Sequence, residues 1–303
     1  MKNHKLLGNF LLILTALIWG TAFVSQRIGM ESIEPLTFNA TRFACGMVAV
    51  GTLALVRVWA RRRKPETRTA DEIKLARHST ICCGIGCGLF LGVGGFLQQA
   101  GLVYTTAGKA GFITALYMLL VPIANLVLFR KKVSLQIWTA VGIGLVGMYL
   151  LCMTDGFGLA YGDLLVFLCA FMFCGHILCC DRYVQHGDPI MISAIQFAVA
   201  SLMSGVAAFL TEQPTWDGIV KAAVPILFCG LISGGVGYTL QIIAQRMTDP
   251  TIASLLMSLE SVFAVLAGAL LLQERMSARE LLGCVVMFAA IVLVQIPLPK
   301  RKK

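Results

Sequence analysis

The sequence predicts an all-α integral membrane protein, with ten transmembrane helices arranged as two inverted five-helix repeats around a central cavity. Three observations predict it. Mean hydropathy is +0.82, with 58% of the 303 residues hydrophobic and only 13% charged, outside the range of soluble domains. Apolar stretches of roughly twenty residues, long enough to cross about 30 Å of hydrocarbon as helices, recur along the whole chain. The second half of the chain also repeats the first.

The ten stretches run roughly over 6–28, 36–58, 79–103, 110–129, 135–152, 161–181, 190–210, 222–245, 252–272 and 280–297, with links too short for a soluble domain. The first follows Lys2 and Lys5, but it is too long for a secretory signal and lacks a small-x-small cleavage site, so it reads as a retained helix. The third and eighth carry the glycine runs GIGCGLFLGVGG and CGLISGGVGYTL, which let helices approach closely. The sixth holds CGHILCC, and the ninth holds a single carboxylate, Glu260, near its middle. Eleven cysteines raise the question of a metal site or disulfides. The clustered ones, Cys82, Cys83, Cys87, Cys174, Cys179 and Cys180, lie inside apolar helices rather than on paired turns around a polar site. They read as small packing hydrophobes, and no metal or cofactor is expected.

The net charge of +10 is distributed unevenly. When helices alternate the links between two sides, nineteen of the 25 cations fall on the side of the N-terminus, five on the other, and Arg42 inside a helix. The positive-inside rule then places both termini in the cytoplasm and the protein in the cytoplasmic membrane. The RRRK cluster of the link before residue 70 serves orientation, with anionic headgroups as added contacts, and needs no nucleic-acid partner.

The repeat appears in two ungapped registers. Residues 16–43 lie over 170–197, matching Ala16 with Ala170, Pro35 with Pro189, Ala40 with Ala194 and Phe43 with Phe197. Residues 97–116 lie over 240–259, pairing Leu97 and Gln98 with Leu240 and Gln241, Thr105 with Thr248 and Ala110 with Ala253, and the register continues to Ser134 and Ser277. Each repeat then holds five helices, 1–157 and 158–303. An odd number makes the second copy enter the membrane from the opposite side, a plan of secondary transporters in which the substrate site lies near the midplane.

At this point the chain resembles a family: the EamA-like, ten-helix members of the drug/metabolite transporter superfamily. The residues carrying the resemblance are ALIWGTAF with Trp19 and Gly20, NATRF with Arg42, YTTAGKAGFI, LESVFAVLAGALLLQERMS and LLGCVVMFAAIVLV, and together they span nearly the whole chain. It implies a carrier, and specifically an exporter, of a small organic metabolite or drug-like solute. The pattern departs at Ser261, where a proline often follows the Glu, and at Gln273, where a glycine often precedes Glu274.

The candidate site follows from the polar and aromatic residues at depth. A carboxylate in hydrocarbon is costly and marks a pathway. Glu260 lies about 14 Å along its helix, near the midplane. There it either meets the cationic part of a solute or exchanges a proton. Gln98 and Gln241 hold equivalent repeat positions at mirrored depths, as site or gate residues or as interhelical glue. Trp19 lies too deep for an interfacial anchor, and Tyr117 is the repeat counterpart of Glu260. Either could face planar solutes or organic cations, or pack. His176 pairs with Glu260 in a proton relay or packs quietly, and Arg42, Gln99 and Gln245 are interior polar or gating candidates. The alternatives to a transporter are an intramembrane enzyme and a non-transporting receptor. No HExxH motif appears, the serines form no evident dyad, and Asp155 and Asp163 lie beside a link. Partners are thus a small solute and the bilayer, and the oligomeric state is left open.

Overall fold

Hydrocarbon offers no water to backbone N–H and C=O groups, so an apolar chain must satisfy them within each segment, and helices do so. The computed structural model describes residues 2–61, 68–105, 107–152, 161–271 and 277–296. Among them every regular element is helical. The order is α1 (Lys2–Gly29), α2 (Pro35–Arg61), α3 (Ala70–Leu102), α4 (Ala107–Thr114), α5 (Tyr117–Phe129), α6 (Leu135–Cys152), α7 (Tyr161–Tyr183), α8 (Pro189–Thr211), α9 (Trp216–Lys221) and α10 (Ala223–Leu227). A π-helical segment, Phe228–Tyr238, follows, then α11 (Thr239–Gln245), α12 (Pro250–Met257), α13 (Glu260–Leu271) and α14 (Ala278–Gln295). Eight spans among the described residues are long and apolar enough to cross a membrane, and the apolar run Leu135–Leu150 of α6 is shorter. The protein is a multi-pass membrane protein. The links 62–67 and 153–160, with Asp155, lie outside the described residues, as do Gln273, Glu274, Arg275 and the tail from residue 297.

Helix starts are written locally. Thr69 with Glu72 and Ser277 with Glu280 form capping boxes, and Asp188 and Asp249 cap α8 and α12 ahead of Pro189 and Pro250. The position equivalent to Asp188 in the first repeat register is Glu34. There α2 takes its cap from elsewhere: the Glu212 carboxylate accepts from Leu36 N and Thr37 N, both at 2.7 Å. The link between α2 and α3 is shorter than expected, because α2 runs to Arg61 and α3 starts at Ala70 rather than near 79.

Three stretches expected as single helices are interrupted. Two breaks are equivalent: Leu116 N bonds to Ile113 O and Met118 N to Ala115 O, while Leu259 N bonds to Leu256 O and Ser261 N to Ser258 O, at 3.0–3.3 Å. These i to i−3 bonds tighten the chain where α4 gives way to α5 and α12 to α13. The second break forms without the proline that often follows the Glu. Instead the hydroxyls of Ser254, Ser258 and Ser261 each donate to the carbonyl three residues back, competing with the helix ladder. The third interruption is the π segment. Its glycines permit contacts that a side chain would block, since a Cβ on Gly230 would meet Arg42 O at 2.6 Å and one on Gly237 would meet Trp19 Nε1 at 2.7 Å.

The packing pairs come in counterparts under the repeat register. The contact of α3 with α7 matches that of the π segment and α11 with α1, and α3 with α8 matches the π segment with α2. The contact of α1 with α13 matches that of α7 with α4 and α5, while α2 with α8 and α6 with α14 pair across the halves.

Replacing Gly230 by Ala should lower the thermal midpoint, by an overpacking cost of about 1–3 kcal/mol, because the atoms it meets include backbone. Gly142→Ala, with nothing within 4 Å of its added Cβ, should leave the midpoint unchanged or raise it. Equal melting of the two variants in detergent would contradict the close approach of α2 to the π segment.

Candidate functional site

A cavity lies at the centre of the bundle, enclosing about 580 Å³ of atom-free space with its approach included. Trp19, Gln98, Tyr117, His176, Gln241 and Glu260, all singled out from the sequence, line it together with Arg42. Elements from both halves build it: α1, α2, α3, α4 and α5 from the first, α7, the π segment, α11 and α13 from the second.

Glu260 is the first residue of α13 and Tyr117 the first of α5, so the two helix breaks deliver both side chains to the same place. The Tyr117 hydroxyl donates to Glu260 Oε1 at 3.0 Å. Gly20 makes room for this junction on α1, since a Cβ there would meet Glu260 O at 2.6 Å. Residues matched by the repeat therefore touch each other. A second matched pair does the same: the rings of Phe43 and Phe197 stack with centroids 6.2 Å apart and planes 16° apart.

Arg42 is 6% exposed and has no ion-pair partner among the described residues. Its Nη1 donates to Gln26 Oε1 at 3.0 Å, its guanidinium lies 4.7 Å from the Phe43 ring centroid, and its Nε has no hydrogen-bond partner. Gln99 does not line the cavity. Its Nε2 donates to the same Gln26 oxygen at 2.6 Å, which fixes the group that holds Arg42. Gln245 has the parallel task for Gln241: it accepts from Gln241 Nε2 at 3.0 Å and donates to Ile177 O at 3.0 Å. Gln241 Oε1 has no partner among the described residues. Gln98 Nε2 donates to Thr114 Oγ1 at 3.2 Å.

His176 and Glu260 share the cavity, but no direct hydrogen bond joins them. The imidazole Nε2 instead pairs with Gln196 Oε1 at 3.0 Å. Gln196 is the repeat counterpart of Arg42, so the same helix pairs carry a polar link in each half. Trp19 Nε1 donates to Ser233 O at 3.1 Å in the π segment, and the ring lies 4.6 Å from Tyr238. Tyr238 also meets His176 edge-on at 5.7 Å and Phe197 at 6.0 Å. It therefore joins the aromatic wall into one surface.

Sequence reading missed Tyr238, Gln26, Phe43, Thr114, Phe173 and Ser233. Tyr238 ends the glycine run and Phe43 is matched in the repeat, and both signals were present in the sequence. Gln26 carried only one signal, a polar residue two turns beyond Trp19 on the same helix face.

The geometry stands beside what is known of other chains. The EamA-like transporter family matches this sequence twice, at residues 6–153 and 160–296. The chain belongs to the EamA-like transporter family. Similar proteins include an uncharacterized transporter of Archaeoglobus fulgidus, 29% identical over 96% of this chain and 87% of that one. YoaV of Bacillus subtilis, also named an uncharacterized transporter, is 21% identical over 96% and 97% of the two chains. A WAT1-related chloroplastic protein of Arabidopsis thaliana is 26% identical over 96% and 70%. One solved crystal structure superposes with a TM-score of 0.76 over 97% of this chain and 96% of its own, at 19% identity, a likeness of fold alone. Membership in this family and the names of the Archaeoglobus and Bacillus relatives point to transport.

Gln26→Leu should destabilise the protein, because it strands Gln99 Nε2 and one Arg42 nitrogen, a loss of about 1–3 kcal/mol for buried polar groups left unpaired. Gln26→Glu offers both donors a charged acceptor and should melt within a few degrees of the parent. A Leu variant as stable as the Glu variant in a thermal scan would show that Gln26 does not hold Arg42.

Proposed function

We propose that this protein is a secondary transporter, working as an exporter, that moves a small organic solute bearing both an anionic and a cationic group across the cytoplasmic membrane. One observation carries the reading. A buried guanidinium, Arg42, and a buried carboxyl group, Glu260, line the same cavity without pairing with each other, between aromatic walls. Ionisable side chains kept inside a bundle mark a solute or ion path. Arg42 receives the anionic group; Glu260 and the adjoining faces of Trp19 and Tyr238 receive the cationic one. Gln98 and Gln241 complete the polar lining.

Movement follows alternating access between two inverted five-helix repeats, 1–157 and 158–303, which make ten membrane crossings. The double family match, the counterpart packing pairs and the contact of matched residues at the cavity support this plan. Latches at the two ends support it as well. Thr105 Oγ1 donates to Asp163 Oδ1 at 2.8 Å, and the repeat counterparts Thr248 and Asn9 bond at 3.3 Å. The first latch also holds the Lys109 ammonium on Asp163, whereas the second has Ile252 at the position of Lys109. The halves therefore carry the same gate with different strengths, and the charged one closes the side away from the N-terminus. Both termini are cytoplasmic by the distribution of cations, and export is the direction that the resemblance implies.

Reconstituted protein should show saturable counterflow in which a zwitterionic amino acid competes better than its amide or its decarboxylated amine. Competition by the amine alone, equal to that of the zwitterion, would remove the role of Arg42. Glu260→Gln keeps shape and removes charge. It should abolish coupled flux or flatten its dependence on pH while expression and melting stay near the parent, and unchanged kinetics across pH in the folded variant would end the assignment of Glu260 to solute or proton. Asp163→Asn should increase labelling of a cavity cysteine from outside, whereas Asn9→Ala should increase it from inside.

A further inference from the structure

A second large concavity lies away from the central cavity, at the end of the bundle where α2 finishes and α3 and α8 begin. Helices α2 and α3 both pack on α8 but touch each other little, so they splay apart over its first turns. The groove between them holds about 1600 Å³ of atom-free space, its open mouth included. Its lower walls are apolar, with Ala54, Val58, Ile81 and Ile195 among them. Its rim is cationic. Arg57, Arg61, Arg68, Arg77 and Arg246 all line it, against one carboxylate, Asp188.

That carboxylate is already engaged. Asp188 Oδ2 pairs with Arg61 at 3.0 Å, and its Oδ1 accepts from Ile190 N and Met191 N at the start of α8. Arg57 and Arg77 have no carboxylate within ion-pairing distance among the described residues. Among the described residues the Lys and Arg side chains lining the groove are all arginines, whose planar fork matches phosphate oxygens in two-point contacts better than an ammonium does. The depth also fits a headgroup: Trp59, on the turn between Arg57 and Arg61, is 58% exposed, as an aromatic at the membrane–water boundary is, and Leu55 one turn deeper is 68% exposed toward hydrocarbon. In the repeat register the opposite end of the bundle carries Thr211, Thr215 and Val220 where this end carries Arg57, Arg61 and Arg77. The positive-inside rule puts such cations on this side of the bundle, and here five of them gather around one groove.

We propose that this groove binds the phosphate headgroup of an anionic phospholipid from the leaflet adjoining it, with one acyl chain lying along the apolar wedge between α2 and α3. The arginines meet the phosphate and the splayed helices meet the chain. Because α2 and α3 also carry Arg42 and Gln98 of the cavity, bound lipid steadies the first repeat against the second.

The test uses full-length protein in an uncharged detergent. Thermal midpoints are measured with added phosphatidylglycerol, with phosphatidylcholine of the same acyl chains, and with soluble glycerol 3-phosphate, and lipid retention is read by native mass spectrometry. Phosphatidylglycerol should raise the midpoint and remain bound, while phosphatidylcholine and glycerol 3-phosphate should do neither. In the Arg57→Gln/Arg77→Gln variant the preference for phosphatidylglycerol should fall roughly thirtyfold, the effect of two near-surface cations. Lys131→Gln/Lys132→Gln, which removes two cations of the same side outside the groove, should keep it. The preference is a ratio between two lipids on one variant, so it is readable even where the variant melts lower. Equal response to both lipids, or equal loss in the two double variants, would overturn the site. A response to glycerol 3-phosphate matching that to phosphatidylglycerol would make it a site for free anions and overturn the lipid assignment.

Discussion

The hydroxyl of Tyr117 donating to the carboxylate of Glu260 is the contact on which the centre of this molecule depends. It requires two helices from opposite halves to break at the same depth and present their first residues to each other. Neither break stands in hydrocarbon. Non-helical backbone is tolerated at membrane depth only where protein or a cavity surrounds it, and both breaks face buried partners: Ala115 and Leu259 are essentially fully covered. The short i to i−3 bonds recover part of the backbone satisfaction lost there. Glu260 thereby gains a hydrogen-bond donor that reduces the cost of keeping a carboxyl group inside the bundle.

Around that contact, glycine and serine do the positioning. Gly20 lets α1 approach the start of α13, and Gly230 brings the π segment onto the backbone of α2 beside Arg42. The wide π turns place Ser233 O under the Trp19 nitrogen and Tyr238 between Trp19 and His176. In the facing half, α3 runs as one regular helix. The two repeats are thus alike in plan and unlike in chemistry, since a guanidinium in the first stands where Gln196 does in the second, and a phenol where Glu260 does. A solute bound there as proposed would meet different groups from each side.

The polar residues divide by depth and by partner. Arg42, Gln98 and Gln241 line the cavity, whereas Gln99 and Gln245 lie outside it and hold Gln26 and Gln241. The sequence set these two glutamines apart as interior polar or gating candidates. Gln98 and Gln99 differ because successive residues on a helix point about 100° apart, whereas Gln241 and Gln245 share a face one turn apart and differ in depth.

The sequence by itself determined the all-helical membrane class, because composition and the length of the apolar runs leave no other way to satisfy the backbone. It also matched Phe43 with Phe197 and Tyr117 with Glu260 in a register between the halves, and it named the residues at depth, since charge, amide and indole are costly there. The tertiary structure alone decided the rest. The break between α12 and α13 forms with serine hydroxyls and without a proline, its counterpart between α4 and α5 forms without those serines, and the π segment lies close against α1 and α2. Gln26 became the holder of Arg42, Tyr238 the hub of the aromatic wall, and His176 a partner of Gln196 rather than of Glu260. Each of these depends on which faces of separate helices meet, and hydrophobic periodicity says little about that in a bundle whose helices are apolar on nearly every side.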